Sequence, residues 1–282
     1  MAYLFKITID PLEKIMRQAL SIILCMVIFI MPITIFAGDC ADVNSSGGVN
    51  LLDVTYLINY LYKGGPEPDC GETTGTVTDV DGNTYLTVKI GAQWWMAENL
   101  KVTHYSNGDP ILNIIDPEEW KTISIGAYCV QNNDTANIPI YGYLYNWYNI
   151  IDSRGVAPVG WHVPSDTEWK QLEIYLGMNP DEADSTGWRG SNEGGKLKDT
   201  GTIYWISPNT GATNETGFSG LPGGSRNWLG EFSGIGGGAR FWSSTERLSS
   251  DAWYRDLAYL RSEIGRSWYD QKSGLSIRCV KD

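Results

Sequence analysis

Histidine is nearly missing: His104 and His162 are the only two in 282 residues. That is too few for a multi-histidine metal centre, and it narrows the room for histidine-based acid–base chemistry. Basic side chains are also short, with 21 Lys and Arg against 33 Asp and Glu and a formal charge of −12. This balance argues against nucleic acid as a partner, because phosphate backbones are held by Lys- and Arg-rich surfaces that release counterions. No Ser/His/Asp arrangement, zinc-ligand spacing or phosphate-cradling loop occurs. The run Gly234-Ile235-Gly236-Gly237-Gly238 lacks the strand–loop–helix setting of a nucleotide fingerprint. What the chain has in quantity is 12 Trp, 16 Tyr and 32 Gly, with every Trp between Trp94 and Trp268. One aromatic-rich globular domain of about 200 residues follows.

A long apolar run occurs once. Residues 20–36, LSIILCMVIFIMPITIF, carry no charge, follow Lys14 and Arg17, and end at Ala37-Gly38. This is the pattern of a secretory signal over 1–37, cleaved near Ala37. Met16-Arg17 makes a more compact start for such a signal than Met1. The expected location is extracellular or at the cell surface, with membrane attachment only through an uncleaved signal. Cleavage removes Cys25 and leaves Cys40, Cys70, Cys129 and Cys279, an even set that suits disulfides in an exported chain. Asp39 stands where a lipoprotein signal takes a small residue, so Cys40 is not expected to carry lipid.

Residues 42–53, DVNSSGGVNLLD, have the spacing of a calcium loop: Asp42, Asn44 and Ser46 at positions 1, 3 and 5, and Gly47 at 6. Gly48 at 7 offers a backbone carbonyl, with Asn50 at 9 and Asp53 at 12. Oxygens at alternate positions can converge on one Ca2+. Only two of the side chains are charged, so the affinity expected is ~10⁻⁴–10⁻³ M, in the range of extracellular modules. Leu52, Tyr56 and Tyr60 continue at helical spacing, and Gly64-Gly65-Pro66 stops the run. Loop plus VTYLINYLYKGG resembles one half of a dockerin, which binds cohesin through paired loop-helix repeats. The unit, residues 38–70, stands single here, which weighs against cohesin as a partner. Cys40 and Cys70 bracket it. A bridge between them would contribute about 3–4 kcal/mol to a unit too small to bury much core. Residues 71–75 form the linker.

The remaining chain, 76–282, opens with a predicted hairpin about Asp81-Gly82 and closes with a predicted strand in which Leu275, Ile277 and Cys279 alternate with Ser276, Arg278 and Val280. Ser165-Asp166-Thr167-Glu168 is a capping box ahead of the stripe Trp169, Leu172, Leu176, and Asn179-Pro180 starts a second short helix. Helix signals are few, so the class is α+β with a largely antiparallel sheet. The blocks GTVTDVDGNTYLTVKIGAQWWMAENL, YGYLYNWY, GWHVPSDTEWKQL, NEGGKLKDTG, TGFSGLPGGSRN, FWSSTE, AWYRDL and GLSIRCVKD, in this order, resemble the Fibrobacter succinogenes major paralogous domain over nearly all of 75–282. The resemblance implies a C-type-lectin-like fold, distantly akin to the formylglycine-generating domain, and no established reaction. Members often carry a cysteine where Ala157 stands here. If that cysteine pairs with the terminal one, Cys279 must turn to Cys129 or stay free.

Most of the aromatic residues are core candidates, among them Trp94, Trp95, Trp161, Trp169, Trp242 and Trp253. Trp228 differs: it follows Arg226-Asn227 in a Gly-rich turn where a large ring is harder to bury. Exposed tryptophan beside polar side chains is how sugar faces are held, so Arg226 and Trp228 are the candidate ligand residues. Glu168, Glu193, Glu215, Glu231, Glu246 and Asp256 are the carboxylates from which a glycosidase pair would come. His162, between Trp161 and Val163, reads as a packed residue rather than a base. The expected function is a secreted, non-catalytic recognition or adhesion module that binds a glycan or cell-surface component. The alternative is an accessory protein or glycosidase of extracellular polysaccharide breakdown, docked through the dockerin-like unit.

Overall fold

A computed structural model describes residues 54–55, 58–59, 62–63 and 73–282. The chain divides into two compact units, Met1–Gly71 and Glu72–Asp282. In the first, Val54, Thr55, Ile58, Asn59, Tyr62 and Lys63 are helical, as their spacing predicts.

The larger unit holds three sheets. Its strands are β1 (Thr74–Thr78), β2 (Thr84–Ile90), β3 (Gln93–Met96), β4 (Leu112–Asn113), β5 (Ala127–Cys129), β6 (Leu144–Tyr145) and β7 (Trp161–His162). They continue with β8 (Gly187–Arg189), β9 (Gly223–Arg226), β10 (Phe232–Ile235), β11 (Gly238–Leu248), β12 (Asp251–Ala258), β13 (Ile264–Asp270) and β14 (Val280–Lys281). The sheets run β1-β2-β3-β14-β7, β10-β9-β11-β12-β13-β8 and β4-β5-β6. Pairing is antiparallel except at β9/β11 and β4/β5. With short helices between, this is the expected α+β class with largely antiparallel sheets.

Local chemistry explains the elements that the sequence announces. In the β1–β2 hairpin, Asp79 Oδ1 accepts from the amides of Asp81 and Asn83, and Gly82 takes φ +83°. The ten-residue helix Asp166–Tyr175 starts from Ser165, whose hydroxyl accepts from the Glu168 amide while Glu168 reaches back to the Ser165 amide. Such a cap contributes on the order of 1 kcal/mol. Asn179 caps the short helix Pro180–Ala183.

The ten-residue helix joins the first and second sheets. Trp169 packs against Trp95 of β3 at 4.8 Å with the rings tilted by 50°, and meets Phe218 and Phe241 at 6.0 and 5.9 Å. Leu172, Leu176, Val88, Leu257 and Ile264 fill the same core. The helix also carries two buried carboxylates toward the second sheet, where the β12–β13 register sets Arg255 opposite Arg266. Asp166 accepts from Arg255 Nη1 at 2.9 Å and from Arg266 Nε and Nη2 at 2.9 and 2.8 Å. Glu173 accepts from Arg255 Nε at 2.5 Å and from both Nη atoms of Arg189 at 2.9 Å. Burial alone would raise the Asp166 carboxyl, but Arg266 and Arg255 outweigh it and hold the group at about 2.

The closing segment corrects one expectation. Residues 275–279 make only isolated bridges, Tyr145 with Leu275 and Phe241 with Ser276, and the ladder proper begins at Val280. All six residues from Leu275 to Val280 are buried, including Ser276 and Arg278. The alternation predicted one wet face. Both faces are covered because the segment runs between the cores, and its polar members find internal partners.

Candidate functional site

Trp228 is 48 % exposed. It rides the β9–β10 turn, which Asn227 locks: its Oδ1 accepts from the amides of Leu229 and Glu231, both at 2.9 Å, and its Nδ2 donates to Glu231 Oε2 at 2.9 Å. Gly230, at φ +86°, closes the turn so tightly against Pro117 that an added Cβ would lie 2.7 Å from the proline Cα and Cβ. The indole is therefore presented on a turn with little freedom to reorient.

Arg226, expected beside Trp228 as a ligand residue, is instead fully buried. Its Nη1 and Nη2 donate to the carbonyls of Ile114 and Ile115 at 2.6 and 3.0 Å, and its Nε donates to Gly230 at 3.1 Å. The guanidinium lies 4.5 Å from the Trp120 ring centre. Burial leaves it no surface to offer a ligand, so Arg226 positions the turn and touches no solute.

A cleft of about 370 Å³ opens beside β2 and the chain after β3, lined among others by Glu98, Asn99, Lys101, Asp199, Tyr204 and Arg278. These come from three of the blocks that carry the family resemblance and from the nearby Lys101 and Tyr204. Asn99 Oδ1 accepts from Arg278 Nε at 2.6 Å, and the remaining Arg278 bonds go to the carbonyls of Met96, Phe218 and Ser219. Burial pulls the Arg278 guanidinium down to about 9, with Glu98 opposing. At 1 % exposure Arg278 braces the wall of the cleft rather than reaching into it. Glu98 Oε2 has no hydrogen-bond partner and lies 3.6 Å from Lys101 Nζ.

The six candidate carboxylates each have a different partner. Glu168 holds His162 and Ser165; Glu193 accepts from the amides of Ser191 and Asn192; Glu215 pairs with Lys196. Glu231 binds Asn227, Glu246 binds Gln271, and Asp256 pairs with Arg240. His162 is clamped between Glu168 Oε1 at 2.7 Å and Asp282 Oδ1 at 2.6 Å, tying β7 to the helix cap and the chain end.

Burial opposes protonation of His162, but the two carboxylates outweigh it and raise the imidazole above its ordinary value. A raised histidine stabilises the fold fully below its unfolded pKa and loses that contribution as pH rises through the folded value. The gap in thermal midpoint between the wild type and His162→Gln should therefore shrink as pH rises above the ordinary histidine value of about 6.5. A gap constant through that rise would show that the clamp stores no charge-dependent stability.

Cys129 and Cys279 are both free and buried. They sit in different core clusters, Cys129 with Ile114 and Trp120, Cys279 with Leu275 and Ile277, so the pairing left open by the sequence is not made. Ala157 packs against the Cys279 cluster. Burial pushes the Cys129 thiol up to about 12 against the opposing Arg226, and raises Cys279 further, so neither is a ready thiolate. The calcium set Asp42, Asn44, Ser46, Gly48, Asn50 and Asp53, and the pair Cys40 and Cys70, lie outside the described residues. Among the described residues no cluster of three His, Cys, Asp or Glu could hold a metal ion.

Two features escaped the sequence reading. Trp188 on β8 and Trp268 on β13 are 38 % and 40 % exposed. In sequence they look like the other tryptophans, and only strand register shows that they face outward.

The larger unit is thus a loop-rich α+β domain that buries half of its tryptophans and leaves three of them open. The chain belongs to the Fibrobacter succinogenes major domain family, whose model matches residues 88–281. No curated protein and no solved structure matches it.

Proposed function

We propose that the chain is an exported, non-catalytic recognition or adhesion module that binds a glycan or cell-surface component through a C-type-lectin-like domain. The observation that carries this reading is Trp228, an exposed indole on a turn locked by Asn227 and backed by Pro117. A flat, exposed ring on a locked backbone turn suits the apolar face of a sugar, since little backbone entropy is lost on binding. The lectin-like scaffold is supported by the carboxy-terminal strand, which closes the first sheet beside strands from the start of the domain. The amino-terminal loop of Asp42, Asn44, Ser46, Gly48, Asn50 and Asp53 is read as a weak Ca2+ site, on its spacing.

The test is retention of the exported chain on a panel of insoluble polysaccharides and cell walls. Trp228→Ala should lose retention at least tenfold while its thermal midpoint stays nearly unchanged. Retention equal to wild type refutes the role of Trp228, and soluble sugar released from the panel places the protein among the enzymes instead. In the same preparation Asp42→Ala should abolish the calorimetric Ca2+ signal; an undiminished signal refutes the calcium site.

A further inference from the structure

The first sheet leaves one long edge open. β1 is its outermost strand and has five residues, whereas the other edge strands of the three sheets, β4, β6, β7, β8 and β10, have two to four. The ladder with β2 shows which way the β1 backbone points. The Lys89 amide donates to the Thr73 carbonyl at 2.8 Å and the Asp79 amide to the Asn83 carbonyl at 3.0 Å, so bonded pairs stand at both ends of the ladder. Bonded and non-bonded pairs alternate along antiparallel strands. Register sets Thr74, Thr76 and Thr78 across from Val88, Leu86 and Thr84, which makes these the pairs without backbone bonds. The Leu86 carbonyl agrees: it accepts from the Ala97 amide, on the side away from β1. Three N–H and three C=O groups of β1 therefore point outward, and among the described residues nothing bonds them. All three threonines are exposed.

Proteins usually blunt such an edge with a charge, a proline or a bulge. The β1 sequence TGTVT has no charge and no proline, its register with β2 is unbroken, and threonine and valine favour extended backbone. A bare edge of this kind is completed by another strand.

Symmetry and charge narrow what that strand is. An antiparallel two-fold through Thr76 sets Thr76 against itself and Thr74 against Thr78 of the copy. The outward groups lie on these three residues, so this register pairs every one of them. Each row is then threonine against threonine, a favourable cross-strand pair. The ends match as well. Exposed Lys89 stands across from Thr73 at one end of β1, and the acidic turn Asp79–Asp81 lies at the other. The two-fold brings the basic end of one protomer to the acidic end of its partner, whereas parallel strands would set like against like. Leu86, 58 % exposed beside Thr76, then flanks the threonine pair from both sides.

We propose that β1 pairs with β1 of a second copy of this chain, antiparallel about Thr76, so that the first sheet runs through a two-fold dimer. This goes beyond the glycan-binding reading and does not rest on it. A five-residue edge is a small contact, so the dimer is weak and depends on concentration.

Sedimentation equilibrium of the full exported chain, from about 1 µM to about 1 mM, should show monomer and dimer in exchange. Thr76→Lys sets like charges on the axis and should weaken the dimer roughly tenfold or more, with the thermal midpoint of the monomer nearly unchanged. Thr76→Pro removes an N–H that points outward and should act in the same direction. Cross-linking reads the register. In oxidised glutathione Thr76→Cys should link to itself, whereas Thr74→Cys and Thr78→Cys should link only when mixed, with the wild type as the blank for the native cysteines. Amide exchange on the wild type needs no variant: the Thr74, Thr76 and Thr78 N–H groups should be unprotected when dilute and protected in the dimer. A monomer at every concentration overturns the proposal, as does a dimer that the folded Thr76 variants leave intact or in which Thr74→Cys links to itself. Protection that persists on dilution shows that a segment of the same chain covers the edge, and overturns it too.

Discussion

Glu173→Gln is expected to cost about 3–5 kcal/mol of folding stability, because it leaves buried arginines without their counter-charge. Glu173 is fully buried and accepts from Arg189 and Arg255, and with Asp166 it balances a group of three guanidinium ions that includes Arg266. Glutamine keeps the shape but removes the charge and offers its own N–H groups toward donors. For a domain of this size the thermal midpoint should fall on the order of 10 °C. Glu173→Met combined with Arg189→Met should recover part of the loss, since an apolar pair carries no desolvation penalty. A single variant that melts within about 1 °C of wild type would mean that the network contributes specificity without stability.

Lys198→Met should cost about 3 kcal/mol or more, by a different route. The Lys198 ammonium is fully buried and donates to three carbonyls, Thr210 and Arg261 at 2.8 Å and Ala258 at 3.0 Å. Burial pulls it down to about 8. The loops it joins approach so closely that a Cβ on Gly194 or Gly195 would run into the backbone of Glu263 or Gly211. Methionine matches the length of the side chain but strands all three carbonyls, each worth about 1–3 kcal/mol when buried unpaired. Chemical denaturation reads the difference, and a loss below about 1 kcal/mol would show that water replaces the ammonium.

These cations also mark where the sequence stops being legible. The hairpin at Asp81-Gly82, the capping box at Ser165 and the short helix at Pro180 could be read because each is decided within a few residues. Arg226 was assigned to a ligand because a glycine-rich turn looks like surface. Its acceptors, Ile114 and Ile115, lie more than a hundred positions earlier, and no local pattern announces them. Arg278 and Ser276 were read as the wet side of a strand for the same reason, since a second layer covers them. The block NEGGKLKDTG was recognisable as family sequence, yet its physical content, two glycines for close approach and one lysine for three carbonyls, needed the fold. Trp228 was legible as exposed from its turn alone. Trp188 was not, since its exposure depends on which residue of β13 lies opposite.

β14 has a consequence for the order of events in the making of the chain. It lies between β3 and β7, and the residues just ahead of it, Ile277 and Cys279, fill the core together with Tyr85 and Met96 from the start of the domain. Synthesis runs from the amino end, so the first sheet lacks the strand that joins β3 to β7 until residues 280–281 have left the ribosome. A nascent chain therefore cannot close this core until those residues have emerged. For the export proposed above, that delay keeps the polypeptide threadable for as long as a translocation channel would need it unfolded.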